Sequence, residues 1–538
     1  MECMPVCRNI TLAFTACLFS FTSATAETTY QMENRTALLN YTITGPGKAQ
    51  SFYDPKARIY HESDIQISDL QLGGDWKGSL LTTLRYTDSP QYDPNYTSIQ
   101  NLAIHLADPQ NNIDAGDVFA NLSPYSMMKG IKGVGFQHNF GDDRNYVRAV
   151  YGSFDGQWAY LLLNSRLDEP MDRFGGGVRV QRAIDNLTVG ANLAQVADRA
   201  RDPKRGTSNV YRQVLPAVDW EYRSGGMVLS GEHAYSRSKL LPYASLSQSL
   251  QGYANRIVFR GIYRTFSLNG NVERVTPNFI TLGGGATPDR MRYHARADWR
   301  LDRQWQIFSD YDQFYNSLSQ QLSTRTHYET AEAGIIRRHL LGRRASALTI
   351  SGRSRSKRTD DGSASARSHR IRLKYKDRAF DNALNYTLDY ERLLNTDKAG
   401  IATTRLSNNL YHISVGYRGY DIGKWRVSGD FDFGRQELQN PTTANFDISD
   451  MMLLSLKAKS SGGSELGASY NLGSNRVTVA GSGSRQNRGM VYFSIAPKIL
   501  HGGSIRSEYS LNDYRFDNVT RNYREGLLQV LINWNLKK

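Results

Sequence analysis

Past residue 17 the 538-residue chain has no cysteine; its three, Cys3, Cys7 and Cys17, all sit at the very start. The remainder can form no disulfide, no thiolate metal site and no thiol chemistry, and Cys3-x3-Cys7 is not read as a redox motif. Long apolar runs are missing as well. After the first thirty residues none approaches the roughly 20 residues that a membrane-spanning helix needs. The chain also has no His-Glu-x-x-His, no Gly-x-Ser-x-Gly, no phosphate loop and no haem-attachment Cys-x-x-Cys-His. With no catalytic constellation, no enzyme activity and no cofactor are expected. His61, His105, His138, His294, His327, His369 and His412 stand far apart, as interface or lumen residues would and metal ligands would not. No repeat of propeller-blade length appears either.

What the chain does have is alternation. From Arg290 to Leu301, Met291, Tyr293, Ala295, Ala297, Trp299 and Leu301 interleave with Arg290, Arg292, His294, Arg296, Asp298 and Arg300. Successive side chains of a strand point to opposite sides, so one face here is apolar and the other ionic. The pattern returns in Ile371, Leu373 and Tyr375 against Arg370, Arg372, Lys374 and Lys376. It returns again in Leu384, Tyr386, Leu388 and Tyr390, and in Tyr411, Ile413, Val415 and Tyr417. A series of such windows predicts an all-β chain forming one large antiparallel transmembrane β-barrel. Its mean hydropathy is negative, as a barrel with one polar face and polar loops requires. Tyrosine, with 32 residues against 7 tryptophans, suits the aromatic girdles at the two membrane interfaces.

Connections alternate between tight and long. The tight ones are Ile184-Asp185-Asn186, Ser224-Gly225-Gly226, Asp302-Arg303, Leu341-Gly342-Arg343 and Ser461-Gly462-Gly463, rich in hairpin-turn residues. Long polar loops are expected near 198–209, 239–250, 274–288, 317–325, 356–367, 394–407 and 437–449. Short turns face the periplasm and long loops the exterior in outer-membrane barrels, which orients the chain. Further turns are expected at Gly473-Ser474-Asn475, Asn487-Arg488 and Gly502-Gly503, a set whose parity leaves the C-terminus outside. The two glycine triplets, Gly175-Gly176-Gly177 and Gly283-Gly284-Gly285, read as loop or strand-edge flexibility.

Arg8, the apolar stretch Ile10 to Phe21 and Ala24-Thr25-Ala26 predict a signal peptide over 1–26, with a mature chain from near Glu27. Residues 27–58 alternate less well and are expected to be a periplasmic arm, a plug or a first strand. The barrel is expected over 59–538, with about 22–26 strands at roughly 20 residues per strand and connection.

Leu528, Val530, Ile532, Trp534 and Leu536 resemble the C-terminal strand by which the outer-membrane assembly machinery recognises its clients, although Asn535-Leu536-Lys537-Lys538 displaces the usual last aromatic. With the signal peptide and the hairpin series, the chain resembles the Gram-negative outer-membrane β-barrel superfamily. That resemblance implies an outer-membrane location, lipid neighbours and dependence on the assembly machinery. A second resemblance is local. Gly116-Asp117, followed by Lys129-Gly130-Ile131-Lys132-Gly133, looks like the Gly-Asp strand and Lys/Arg-Gly strand of ushers and of several large channel proteins, including the barrels of porin-cytochrome conduits. Here Asp117 is expected in the wall facing Lys129 or Lys132, with Gly130 and Gly133 letting the backbone bend. An usher is excluded for want of room for periplasmic domains on both sides of so large a barrel.

The charge is +15, from 66 Lys and Arg against 51 Asp and Glu. Arg290, Arg292, Arg296, Arg300, Arg370, Arg372, Lys374 and Lys376, with His294, fall on polar faces of nearby hairpins and predict a cationic lumen wall that favours anions. The competing reading pairs them with Asp298, Asp310, Asp312, Glu332, Asp389, Glu391, Asp430 and Asp432 in a stiffening lattice. Strand-alternating arginines in an exported chain do not point to nucleic acid. The expected function is therefore a porin-like channel for polar, anionic solutes. The alternatives are a sheath around a multihaem cytochrome, and an export barrel for polysaccharide or protein working with a periplasmic partner.

Overall fold

The structure, a computed structural model, describes residues 28–51, 53, 56–158, 161, 171–200, 210–241, 247–318, 324–400, 402–439, 445–477, 482–500 and 502–537. The expected signal peptide and all three cysteines lie outside these residues. Hydrogen bonding runs through one 26-stranded sheet. Its first strands are β1 (Thr29–Thr44), β2 (Ile59–Gly73), β3 (Trp76–Thr87), β4 (Thr97–Ala107), β5 (Asn111–Ser123), β6 (Met127–Asn139) and β7 (Tyr146–Ser153). Next come β8 (Met171–Ile184), β9 (Leu187–Ala200), β10 (Val210–Ser224), β11 (Met227–Leu241), β12 (Gln248–Tyr263), β13 (Phe266–Val275) and β14 (Arg290–Arg300). Then follow β15 (Trp305–Asn316), β16 (Thr326–Arg338), β17 (Ala347–Thr359), β18 (Ala364–Ala379), β19 (Leu384–Ala399) and β20 (Ala402–Ile422). The last are β21 (Trp425–Gln439), β22 (Phe446–Ser460), β23 (Glu465–Arg476), β24 (Ser484–Ile495), β25 (Ser504–Phe516) and β26 (Tyr523–Lys537).

The sheet closes on itself. β1 pairs antiparallel with β26 from Gln31↔Lys537 to Thr44↔Arg524, while its other edge carries β2. The barrel thus begins at Thr29, ahead of residue 59. Closure leaves no open edge, the condition for a sheet to cross lipid. Cross-strand partners share a face, so the register sorts the side chains. Outward stand Tyr293 and Trp299 on β14, Ile371 and Leu373 on β18, Leu454 and Leu456 on β22, and Val491 and Phe493 on β24, all exposed. So continuous an exposed apolar band is stable only against hydrocarbon. At about 4.8 Å between strands and a tilt near 40°, 26 strands in a circular barrel enclose a bore on the order of 50 Å between backbones.

Two long loops expected from the sequence are strands. Within 356–367, β17 runs to Thr359 and β18 restarts at Ala364, with Arg358↔Ser365 paired. Within 394–407, β19 and β20 stay in register to Ala399↔Ala402. The turns expected at Gly473-Ser474-Asn475 and Asn487-Arg488 lie inside β23 and β24. One cause covers all four. Where a hairpin projects beyond the lipid, both faces meet water, so the ladder continues while the apolar alternation that signals it disappears. Tight and long connections therefore do not alternate strictly, and the even strand number puts the end of β26 on the same side as the start of β1.

Candidate functional site: the lumen and its inner layer

β5 follows β4 only from Asn112↔Ala107 to Gly116↔Ala103, although it stays paired with β6 much further. β6 in turn keeps β7 only from Asn139↔Tyr146 to Lys132↔Ser153. The far half of this hairpin, 117–131, therefore leaves the wall. Gly116 makes the departure possible: its φ is +98°, and a Cβ there would meet the Leu102 carbonyl oxygen at 2.0 Å. At Gly133 a Cβ would meet the Tyr151 carbonyl oxygen at 2.0 Å. The ladder bond that β4 loses is replaced by a side chain, because the Asp117 carboxylate accepts the Leu102 N–H at 2.7 Å. Asp117 also accepts from Trp158 Nε1 at 2.9 Å and pairs with buried Lys132. Lys129 instead lies over the Phe154 ring.

The displaced half folds against the inner wall as a second layer. Val118, Ala120, Leu122, Met127 and Ile131 pack with Val150, Ala194 and Val196. At the tip, Tyr125 is 1% exposed and packs with Leu215, Ala217, Ala234, Ala254, Val275 and Phe279. Small residues on the wall create the space. Of the two glycine triplets, Gly175-Gly176-Gly177 lies within β8, where a Cβ on Gly177 would come within 2.6 Å of Leu122. The other, Gly283-Gly284-Gly285, belongs to the β13–β14 connection, which descends onto the tip. Its Thr281 hydroxyl donates to the Tyr125 carbonyl at 2.7 Å, and Gly285 N–H to the Pro124 carbonyl at 2.9 Å.

Polar groups lock the layer in place. Glu232 on β11 accepts the Ser123 hydroxyl at 2.6 Å and the Tyr125 N–H at 3.0 Å. The Tyr125 hydroxyl donates to Glu273 at 2.8 Å. Arg179 on β8 forks onto Asp219 at 2.6 and 2.8 Å and donates to the Leu122 carbonyl. Glu232, Arg179, Asp219 and Glu273 are invisible to sequence reasoning, because each partner is far away in the chain. A signal did exist: inward-facing Ala194, Ala217, Ala234 and Ala254 on consecutive strands leave room for something to lie on them.

Elsewhere the inner wall is ionic. Arg290 pairs with Glu273 at 2.9 Å, Arg292 with Asp312 at 2.7 Å, and Arg296 with Asp298 at 3.0 Å and Asp310 at 3.7 Å. His294 lies 3.6 Å from Asp310. Arg353 and Arg370, direct cross-strand partners, share Glu332, and Arg370 also reaches Glu391 at 3.4 Å. Arg372 forks onto Asp389, which Lys374 approaches to 3.3 Å. His412 stands 3.5 Å from Asp432, and the Ser455 hydroxyl 3.5 Å from Asp430. Among the described residues Arg300 and Lys376 have no carboxylate in ion-pair range. Most of the expected cations are thus in a charge lattice, whose members hold one another's rotamers.

No family model matches the chain, and no curated protein does. Among solved structures, the chain is similar to Pseudomonas aeruginosa OccK1 (OpdK), at 10% identity, over 96% of this chain and 100% of that one, with a TM-score of 0.30. A BenF-like porin from Pseudomonas fluorescens Pf-5 gives 12% identity over 95% and 99%, with a TM-score of 0.31. The P pilus usher (PapC) translocation pore gives 9% identity over 94% and 99%, with a TM-score of 0.35. The molecule's own two faces speak more directly. A closed antiparallel barrel with an even number of strands, apolar outside and ionic inside, has the architecture of the porin-like barrels of the Gram-negative outer membrane.

Proposed function

We propose that the chain is an outer-membrane channel whose lumen favours anionic solutes. The carrying observation is the uneven charge on the inner face of β16–β19. The register directs Arg338, Arg353, Arg355, Lys357, Arg370, Arg372, Lys374, Lys376 and Arg378 inward there, against Glu332, Asp389, Glu391 and Asp397. More than two cations face each carboxylate, so the lattice leaves a net positive stripe. On β14 and β15 the same lattice is close to balanced and contributes stiffness. A positive stripe on a low-dielectric wall concentrates anions beside it. The inner layer over β7–β13 thickens a neighbouring arc of the wall and narrows the passage beside the stripe. The short-turn end, which carries both β1 and β26 termini, is placed in the periplasm.

The test is single-channel recording of the refolded protein in planar bilayers under a salt gradient. Anion-selective steps that weaken when Arg355, Arg370 and Arg372 are neutralised support the proposal. Cation selectivity, or selectivity unmoved by these changes, overturns it.

Calibre favours a second reading. One hairpin layer, about 10 Å thick, narrows a bore of about 50 Å only in part. So wide a barrel also suits a sheath around a separately encoded protein, such as a multihaem cytochrome. Silence from a folded barrel together with haem absorbance in the native complex would select it.

A further inference from the structure

The extracellular ends of β23, β24 and β25 carry arginines on the face turned away from the lumen. Arg476 shares the outward face of β23 with Leu466 and Tyr470, Arg485 that of β24 with Val491 and Phe493, and Arg515 that of β25 with Tyr509. Arg485 and Arg515 are direct cross-strand partners. Like charges directly opposite one another destabilise a sheet unless something lies between them. The local carboxylates are already shared. Asp450 holds Arg435 at 2.7 Å and Arg476 at 2.9 Å, while Asp513 holds Arg515 at 2.9 Å and Arg524 at 3.6 Å. Asp517 accepts the Gly483 N–H at 2.7 Å. Arg485 donates only to the Asn487 side chain, at 3.3 Å, and among the described residues no carboxylate is in ion-pair range of it. A recess of about 330 Å³ opens between Arg476, Arg485 and Arg515, with Asp517 also on its lining, so that three arginines face one carboxylate there.

Directly below, on the same outward face, lies an apolar groove of about 290 Å³ walled by Leu454, Leu456, Tyr470, Val491 and Tyr509. Gly489 forms part of its floor, and nothing lies within 4 Å of where its Cβ would be. Gly489 is four residues along β24 from Arg485, roughly 13 Å at strand rise. A basic recess at the water side, stacked at that spacing on an acyl-sized groove that faces lipid, matches an amphiphile with an anionic headgroup.

We infer that β22–β25 form a binding site for a phosphorylated glycolipid of the outer leaflet, with its phosphate between Arg485 and Arg515 and an acyl chain in the groove over Gly489. Guanidinium forks suit phosphate oxygens, and partial removal from water strengthens the contact. This inference rests on the outer-membrane placement above but not on the lumen's selectivity.

The experiment uses the full barrel in phosphatidylcholine nanodiscs, titrated with bis-phosphorylated lipid A, with its phosphate-free counterpart and with inorganic phosphate. Binding is read from the rise in the heat-modifiable transition and by native mass spectrometry. Lipid A is expected to bind and stabilise, and the other two are not. The double variant Arg485→Gln/Arg515→Gln should weaken lipid A by about tenfold or more. Gly489→Leu, which fills the groove, should weaken it while leaving the rim intact. Equal binding of the phosphate-free lipid, equal protection by inorganic phosphate, or full affinity in the double variant would each overturn the site. Conductance of the same purified proteins in planar bilayers separates the two proposals: a silent barrel that still binds lipid A refutes only the channel.

Discussion

The carboxylate of Glu232 receives the backbone N–H of Tyr125 at 3.0 Å, across 107 residues of chain. That bond joins the tip of the inner layer to the wall, and the same carboxylate also takes the Ser123 hydroxyl. In Glu232→Ala the Tyr125 N–H stays buried with no acceptor, a cost of about 1–3 kcal/mol, while the Ser123 hydroxyl can turn to the Ser126 hydroxyl 2.6 Å away. Hydrogen exchange of the Tyr125 and Ser126 amides should accelerate while the β14–β22 wall is unchanged. Glu232→Gln, which keeps an oxygen acceptor, should cost less. Unaltered exchange at the tip would show that Glu232 does not hold it.

Gly116 and Gly130 make a matched pair of tests. Gly116→Ala must adopt a positive φ and drive a Cβ into the Leu102 carbonyl, costing about 1–3 kcal/mol from conformation alone, with the steric clash added. At Gly130 nothing lies within 4 Å of the Cβ position, so Gly130→Ala should assemble normally. Yield of heat-modifiable barrel reads both. Equal yields would mean that the hairpin does not need its bend at Gly116.

Glu332 sits between Arg353 and Arg370. Glu332→Gln removes one negative charge from an already positive stripe and should move the reversal potential further toward anions. Arg355→Gln with Lys357→Gln should move it the other way. Reversal potentials indistinguishable from wild type in both would remove this wall as the source of selectivity.

Ile371 and Arg370 are chain neighbours on opposite faces of β18. Ile371→Arg puts a cation into mid-membrane hydrocarbon and should cost about 2–4 kcal/mol, read as a lower urea midpoint for loss of heat-modifiable migration. The same substitution at lumen-facing Ser368 should cost far less. Equal costs would contradict the assigned inside and outside.

In the β14–β15 turn, Asp302 accepts the N–H groups of Gln304 at 2.6 Å and Trp305 at 2.8 Å. These bonds hold its carboxyl below the usual carboxylate range. With the folded pKa depressed, the stabilisation is present above the ordinary value and is lost as pH falls through the lower one. The Gln304 and Trp305 amides should stay protected at pH 5 and lose protection only in stronger acid. Asp302→Asn should abolish that pH dependence, and unchanged dependence would implicate another group.

Much of this molecule follows from its alternation. Met291 through Leu301 against Arg290 through Arg300 settles that β14 has a lipid face and an ionic face, since a strand has only two sides and hydrocarbon accepts only one of these sets. The same rule fails at Ser356 to Arg367 and at Asn487-Arg488, where water on both sides erases the pattern although pairing continues. Which charges neutralise which, as with Arg372 and Asp389, depends on strand register, which follows from where each hairpin turns. The inner layer is further from the sequence still. Gly116-Asp117 marks a bend, but its direction depends on the alanine-lined hollow at Ala194, Ala217, Ala234 and Ala254 and on Glu232 and Arg179 waiting there. Those residues come together only once β5 to β13 have paired in register into a curved wall, because local chemistry specifies faces and turns while the pairing of successive strands brings residues distant in the chain to the same place.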